Sequence, residues 1–364
     1  MNQNTTLVER TIRADVRAMR AYPVAPPWQG IKLELMEDAH LDPHLPAAAI
    51  RSELGKRLSE AAINRYPDPA APALKAKMRE KLGIAAHHDI VLGSGSDEVI
   101  TMLSQAILAG GGTVVSQEPS FSVFKNAAIA VAGRYVGVSL KPDFTLDLET
   151  TLATIDREQP KLVWVVYPNN PTGNLFPDDA IEKIIHATPG LVVIDEAYEP
   201  FAKRSWAARL DEFPNLLIMR TLSKIGLAGV RLGYLFGAPE WISEINKVRG
   251  PFNVGVLQQV AAEVMLDHYD ELQRHAALMI EERERVFTAL SKLPNVTPFV
   301  SSANFVLARF NDSAAVFEAL KARGILVRNL SALHPHMVNT LRISMGTREQ
   351  MDALLVALAE ICKS

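Results

Sequence analysis

Two spacings of apolar residues divide this chain. Ile50, Leu54, Leu58 and Ala62 recur every fourth position, one stripe of an amphipathic helix, and Arg65-Tyr-Pro-Asp-Pro69 breaks it. Leu74, Met78 and Leu82 stripe a second helix, which Gly83 ends. From Ile90 the pattern changes to short, wholly apolar runs: Ile90–Leu92, Thr113–Val115, Leu162–Val166, Leu191–Ile194, Leu216–Met219 and Leu232–Phe236. Helical patterns lie between most of them, as in Ile100, Leu103 and Ile107, or Ala180, Ile181, Ile184 and Ile185. Strands apolar on both faces and separated by helices predict an α/β fold with a mostly parallel central sheet sandwiched by helices.

Past Pro251 the pattern changes again. Val256 to about Leu290 reads as long helices with many Glu and Arg residues. A strand at Asn304–Leu307, a helix at Ala314–Ala322, strands at Ile325–Val327 and Leu341–Ser344 and a terminal helix follow. This predicts a smaller α+β domain. Tyr22-Pro23 and Pro26-Pro27 mark an irregular arm before the first helix. The expected division is an N-terminal arm over 1–40, a large domain over 41–250 and a small domain over 251–364 with the arm packed on it.

Composition narrows the classes. Nearly half the residues are apolar, as in a soluble globular protein with a sizeable core. Lys plus Arg number 38 and Asp plus Glu 41, so the near-balanced charge gives no footprint for nucleic acid or an anionic membrane. Cys362 is the single cysteine, which excludes an internal disulfide framework and fits a reducing cytoplasm. The first residues lack the apolar run of a signal peptide. The longest uncharged stretch, Val99 to Gln117, is split by Gly110-Gly-Gly112 and reads as helix, glycine break and strand rather than a membrane span.

In a parallel sheet, ligands gather beyond the carboxyl ends of the strands. After Leu92 comes Gly93-Ser-Gly-Ser-Asp-Glu98, either an anion site at a helix start or a tight turn with Ser96 or Asp97 capping the helix. After the next run comes Glu118-Pro-Ser-Phe121, whose ring is core or a platform for a planar ligand. Tyr167-Pro-Asn-Asn-Pro-Thr-Gly173 is a dense turn with two side-chain amides. Asp195-Glu-Ala-Tyr198 sets a carboxylate at a buried strand end, for an internal arginine or for a protonated nitrogen heterocycle. Thr221-Leu-Ser-Lys-Ile-Gly-Leu-Ala-Gly-Val-Arg231 holds a lysine among small and apolar residues, either a solvated loop lysine or a desolvated nucleophile. Taken together, a lysine, a buried acid, a phosphate-friendly helix start and an aromatic face are what pyridoxal 5'-phosphate requires.

These segments resemble the fold-type I aminotransferases, class II branch, from about Tyr22 to Thr347. Tyr167–Gly173, Val193-Ile-Asp-Glu-Ala-Tyr198 and Ser223–Arg231 carry the likeness in fold and cofactor. Arg65-Tyr-Pro67, Val327-Arg-Asn329, Leu333-His-Pro335 and Leu341-Arg-Ile-Ser344 are similar to the histidinol-phosphate subgroup. The resemblance implies the PLP-dependent transferase fold and transamination of histidinol phosphate with 2-oxoglutarate, giving imidazole-acetol phosphate and glutamate, in histidine biosynthesis. It implies that Lys224 bonds the cofactor and moves the proton, that Asp195 pairs with the ring nitrogen, and that Asn170 and Tyr198 bond the ring oxygen. By the same resemblance Phe121 is expected to stack on the ring, Ser96, Asp97, Ser223 and Arg231 to hold the cofactor phosphate, and Tyr66 to reach the neighbouring subunit's site in a homodimer. It implies that Arg342, Arg328 and Tyr22, with Asn170, meet the substrate.

The family's Asn-Glu-Asn-Pro signature stands here as Met36-Glu37-Asp38-Ala39, a departure beside the substrate. An aromatic or broad-range aminotransferase and a threonine-phosphate decarboxylase are the alternatives on this scaffold. A transcription regulator built on the same fold needs a helix-turn-helix for which the arm before Ile31 has no room. His334 and His336 lack a third ligand in pattern, so no metal centre is expected.

Overall fold

The computed structural model describes residues 6–21, 27–34 and 47–363. Tyr22 and the segment Met36–Ala39 lie outside the described residues. In chain order the strands are β1 (Ile31–Lys32), β2 (Asp89–Ser94), β3 (Thr113–Glu118), β4 (Arg134–Ser139), β5 (Leu162–Val166), β6 (Leu191–Asp195) and β7 (Leu216–Thr221). They continue with β8 (Leu232–Gly237), β9 (Val296–Pro298), β10 (Phe305–Phe310), β11 (Ile325–Leu326), β12 (Arg328–Asn329) and β13 (Thr340–Ser344). Every apolar run of the sequence is a strand, most of them extended by polar residues at the carboxyl end. Those added residues, Ser94, Asp195 and Thr221 among them, stand where the sheet meets its ligand side.

The large sheet runs β2-β8-β7-β6-β5-β3-β4. β8 is antiparallel to both its neighbours and the other strands share one direction. Sequence reading missed β4, Arg-Tyr-Val-Gly-Val-Ser, because it is an edge strand with exposed positions and so has no continuous apolar run. The interior strands alternate between two cores. Leu162, Trp164, Val166, Leu191 and Val193 face one side, while Val163, Val165, Val192 and Ile194 face the other. Each fully buried aliphatic side chain contributes about 1.5–3 kcal/mol, so covering both faces holds this sheet without hairpin turns. Gly83 ends the helix Pro72–Leu82 at φ 68°, the left-handed geometry that favours glycine at a helix end.

The uncharged stretch resolves as a helix, Ser96–Leu103, a wider turn over Ser104–Leu108, the glycines, and β3. Among the described residues no helix is long and apolar enough to cross a membrane. The carboxyl-terminal part builds a second, antiparallel sheet, β12-β13-β10-β9. The sequence expected one strand at Ile325–Val327. The chain instead divides there: β11 pairs in parallel with β1, and β12 joins β13. Ile31 and Lys32 are thereby fastened to Ile325 and Leu326.

Candidate active site

The polar strand ends surround a cavity of about 360 Å³. Ser96 and Asp97 reach it from the helix after β2, Phe121 from the turn after β3, and Asn170 from the turn after β5. Asp195 and Tyr198 come from the end of β6, and Ser223, Lys224 and Arg231 from the segment between β7 and β8. Nine residues singled out from the sequence therefore line one cavity. The shared direction of the strands that carry them puts their carboxyl ends along one edge.

One end of the cavity is suited to an anion. The helix Ser96–Leu103 starts at Gly95, φ 85°, with no side-chain cap, so neither Ser96 nor Asp97 closes it. Its first N–H groups stay available to a ligand, and the helix dipole favours negative charge there. A Cβ on Gly95 would lie 2.4 Å from Arg231 Nη2, so only glycine lets the guanidinium approach this turn. Arg231 sits opposite, at φ 55°, and donates to Asp97 at 3.1 Å. Thr221 Oγ1 lies 2.9 Å from Ser223 Oγ and accepts the Ser223 N–H at 3.1 Å, fixing the turn. Thr221 was not singled out from the sequence. Its place as the last residue of a strand in this sheet is the signal that would have found it.

The other end holds the titrating groups. Asp195 is buried and accepts the Ala197 N–H at 3.0 Å. Among the described residues no cation lies within ion-pair distance of it. Burial raises its carboxyl to about 7, against the opposing pull of the Ala197 N–H and Lys224. Lys224 opens into the cavity and is otherwise enclosed by protein. Burial first, then the nearby Arg342 and Arg231, push its amine down to about 8, although Asp97 and Asp195 oppose this. A buried acid awaiting a cation and an amine that titrates near neutrality fit a protonated heterocycle carrying an electrophilic carbon.

The arginine alternative raised for Asp195 is realised one residue later. Glu196 points to the other side of the strand end and accepts from Arg220 Nε at 2.9 Å, Ser205 Oγ at 2.9 Å and the Trp206 N–H at 2.6 Å. Arg220, four residues before Lys224, is thus engaged away from the cavity.

A second cavity of about 300 Å³ shares Phe121 and Asn170 with the first and is lined beyond them by Arg20, Arg328 and Arg342. Arg342 is buried; it donates to Asn170 Oδ1 at 2.9 Å and to the Glu34 carbonyl at 3.1 Å. Arg328 pairs with the buried Glu34 carboxylate. Glu34 and Arg20 were not singled out from the sequence, since nothing local links Glu34 to Arg328 or brings Arg20 to the same cavity. Tyr66 lies outside both cavities, 80% exposed, and stacks on Phe252 with ring centroids 4.4 Å apart.

The profile of the family described as "Aminotransferase class I and II" matches residues 32–358. The chain is 46% identical over 358 residues to histidinol-phosphate aminotransferase 1 of Ralstonia nicotianae, covering 97% of this chain and 95% of that one. It is similar to the crystal structure of histidinol-phosphate aminotransferase from Sinorhizobium meliloti in complex with pyridoxal-5'-phosphate, at 25% identity and TM-score 0.83, covering 97% and 98% of the two chains. L-threonine-O-3-phosphate decarboxylase from Porphyromonas gingivalis, at 20% identity and TM-score 0.76 over 92% of this chain and all of that one, shares the fold alone.

Proposed function

We propose that this chain, which belongs to the class I and II aminotransferase family, transfers an amino group between histidinol phosphate and 2-oxoglutarate with pyridoxal 5'-phosphate as cofactor. The observation that carries the reading is a pair of joined cavities. One combines a buried acid that, among the described residues, has no cation within ion-pair distance, a lysine and an anion-binding helix start. The next is lined by Arg328 and Arg342. Relatives named histidinol-phosphate aminotransferase, 44–46% identical over almost the whole chain, support the substrate assignment.

The residues fit the cofactor. Asp195 would hold the ring nitrogen protonated, and Asn170 and Tyr198 would bond the ring oxygen. Phe121 would cover the ring, and the N–H groups at Ser96 and Asp97, with Ser223 and Arg231, would take the phosphate. When bound, the cofactor supplies an aldehyde for the amine and a ring that accepts the electron pair left as the Cα proton departs. Lys224, its amine pushed down to about 8, would be the group that holds and moves that proton. Asp195 in its anionic form balances the cationic ring nitrogen, and the buried site strengthens that stabilisation. Arg342 and Arg328 offer planar forks for the substrate's phosphate or carboxylate. Tyr22 would add a contact at this end.

The same reading takes the arm, residues 1–40, and residues 251–364 as one small domain against a large domain at 41–250. It makes the enzyme a cytoplasmic homodimer in which the exposed Tyr66 reaches the neighbouring subunit's cofactor phosphate. The deciding measurement compares kcat/KM for histidinol phosphate and for phenylalanine with 2-oxoglutarate as acceptor. A preference for histidinol phosphate is expected. A preference for phenylalanine would replace the substrate assignment with an aromatic one, and release of CO₂ without use of 2-oxoglutarate would replace transamination with decarboxylation.

A further inference from the structure

At the opposite edge of the large sheet, two segments meet that nothing in the reaction uses. His87 and His88 directly precede β2, and Asp211 lies in the short helix Ala207–Glu212 before β7. Because β2 and β7 both run antiparallel to β8, their starts lie at the same edge. At about 3.3 Å per residue, a six-residue strand puts this edge roughly 20 Å from the cavity at the strands' other ends.

Both imidazoles aim Nε2 at one carboxylate. His87 Nε2 lies 2.9 and 3.1 Å from the two Asp211 oxygens, and His88 Nε2 lies 2.9 Å from Oδ1. The three ligand atoms fall within 4.8 Å of one another. Among the described residues no lysine or arginine pairs with Asp211. Arg209, two positions away, is engaged by Glu212 and Glu182. The adjacent Asp89 is left to Lys75 and Arg79.

We propose that His87, His88 and Asp211 form a site for one divalent transition-metal ion of the zinc, nickel or copper class. Two imidazole nitrogens and one carboxylate oxygen are the ligands such ions select over magnesium or calcium. With metal–ligand bonds of about 2.0–2.2 Å, a tetrahedral site has ligand atoms about 3.3 Å apart, so the two 2.9 Å imidazole–carboxylate spacings need only a few tenths of an ångström of adjustment, and the two imidazole nitrogens already lie within 4.8 Å of each other. Each imidazole binds through Nε2 once its remaining proton resides on Nδ1; a protonated ring releases one proton to solvent. His88 is buried, whereas His87 and Asp211 are exposed, so the remaining coordination positions face water. The ion would tie the start of β2 to the start of β7.

The holoenzyme without an affinity tag is titrated with Zn²⁺ against a chromogenic chelator, alongside His87→Ala and Asp211→Asn. One equivalent per chain is expected, with affinity lowered at least about tenfold in each variant, since even changes behind the ligands cost that much. Zinc should raise Tm of the unaltered protein and much less that of either variant, with transamination unchanged in both. Co²⁺ spectra in the unaltered protein and Asp211→Asn should differ, which reports the carboxylate ligand directly. Absence of saturable uptake, or equal affinity in all three proteins, would overturn the site.

Discussion

Behind the end of β6, Glu196 meets Arg220, Ser205 and the Trp206 N–H. In front of it, Asp195 meets one backbone N–H and, among the described residues, no cation within ion-pair distance. The two carboxylates are adjacent in sequence and both are buried. Burial raises both carboxyls; at Glu196 the Arg220 guanidinium, the Trp206 N–H and Ser205 oppose it and fix the strand end. Asp195, raised to about 7, has the Ala197 N–H and the more distant Lys224 against its burial until a ligand relieves it. Burial alone therefore does not mark a functional acid. Burial without a partner does.

The strongest way to break this contrast is at Lys224, on the unsatisfied side. Lys224→Ala should lower transamination by roughly 10⁴-fold or more, since both covalent attachment and proton transfer are lost. It should also abolish cofactor retention after borohydride reduction, read by mass. Normal turnover in this variant would dismiss the catalytic reading altogether. On the satisfied side, Glu196→Ala takes the 2.9 Å carboxylate from the buried Arg220 guanidinium, leaving it Ser205 and Glu199 at 3.9 Å, and should destabilise the fold by about 3 kcal/mol. Denaturant unfolding measures it, and a loss below about 1 kcal/mol would erase the distinction between the two sides.

Asp195→Asn sharpens the comparison because its effects on function and stability have opposite signs. Catalysis should fall about 10²–10³-fold, the cost of removing one electrostatic stabiliser from an enclosed site. The cofactor-free protein should become more stable. Asp195 has a folded value near 7 against an ordinary 3.8, so between about pH 4 and 7 the folded state holds a proton that the unfolded chain has released. Stability falls with rising pH through that window, by up to about 4 kcal/mol at 1.36 kcal/mol per unit. Lys224 acts in another window. Its folded value near 8 lies below the ordinary 10.5, so stability rises as pH increases from about 8 to 10.5. Thermal unfolding should show Asp195→Asn above the parent at pH 8 and equal to it near pH 4. A lower Tm at pH 8 would mean that the carboxylate is paired after all.

Much of this was legible in the sequence because a parallel sheet converts local patterns into shared location. Each apolar run that shares the common strand direction ends where polar residues can meet, so Ser96, Asn170, Asp195 and Lys224 are traceable to one edge from the sequence. What stayed hidden lacks such a pattern. β4 is amphipathic at an exposed edge, and β9 has only three residues. Glu34 finds Arg328 across 294 positions, and Asp211 finds His87 across 124. No periodicity records such pairings, since they depend on how the starts and ends of distant elements pack. The alternatives at Asp195 were undecidable for a related reason. Sequence allows an internal arginine as the acid's partner, but only geometry shows that the arginine is Arg220 and that Glu196, on the other side of the strand, takes it.

Two of the buried arginines, Arg220 and Arg342, extend the comparison to smaller effects. Arg220 donates to the Glu196 carboxylate and lines neither cavity, while Arg342 lines the second cavity and donates to Asn170 Oδ1 and the Glu34 carbonyl. Its two Nη groups are spread over separate partners, which sets the plane of the fork at the cavity wall, where an anion arrives. Lysine keeps the charge but has no fork, so it cannot hold both oxygens and face the substrate together. Arg342→Lys should therefore raise KM for both amino donors by about 10–100-fold, equivalent to about 1.5–3 kcal/mol of charge-assisted hydrogen bonding, with little change in Tm. Arg220→Lys should do the reverse, lowering Tm while leaving KM near normal, because its partner is inside the protein. If Arg342→Lys lowered Tm as far as Arg220→Lys and left KM alone, Arg342 would belong with Glu196 among the structural pairs. Anion recognition in the second cavity would then fall to Arg328 and Arg20.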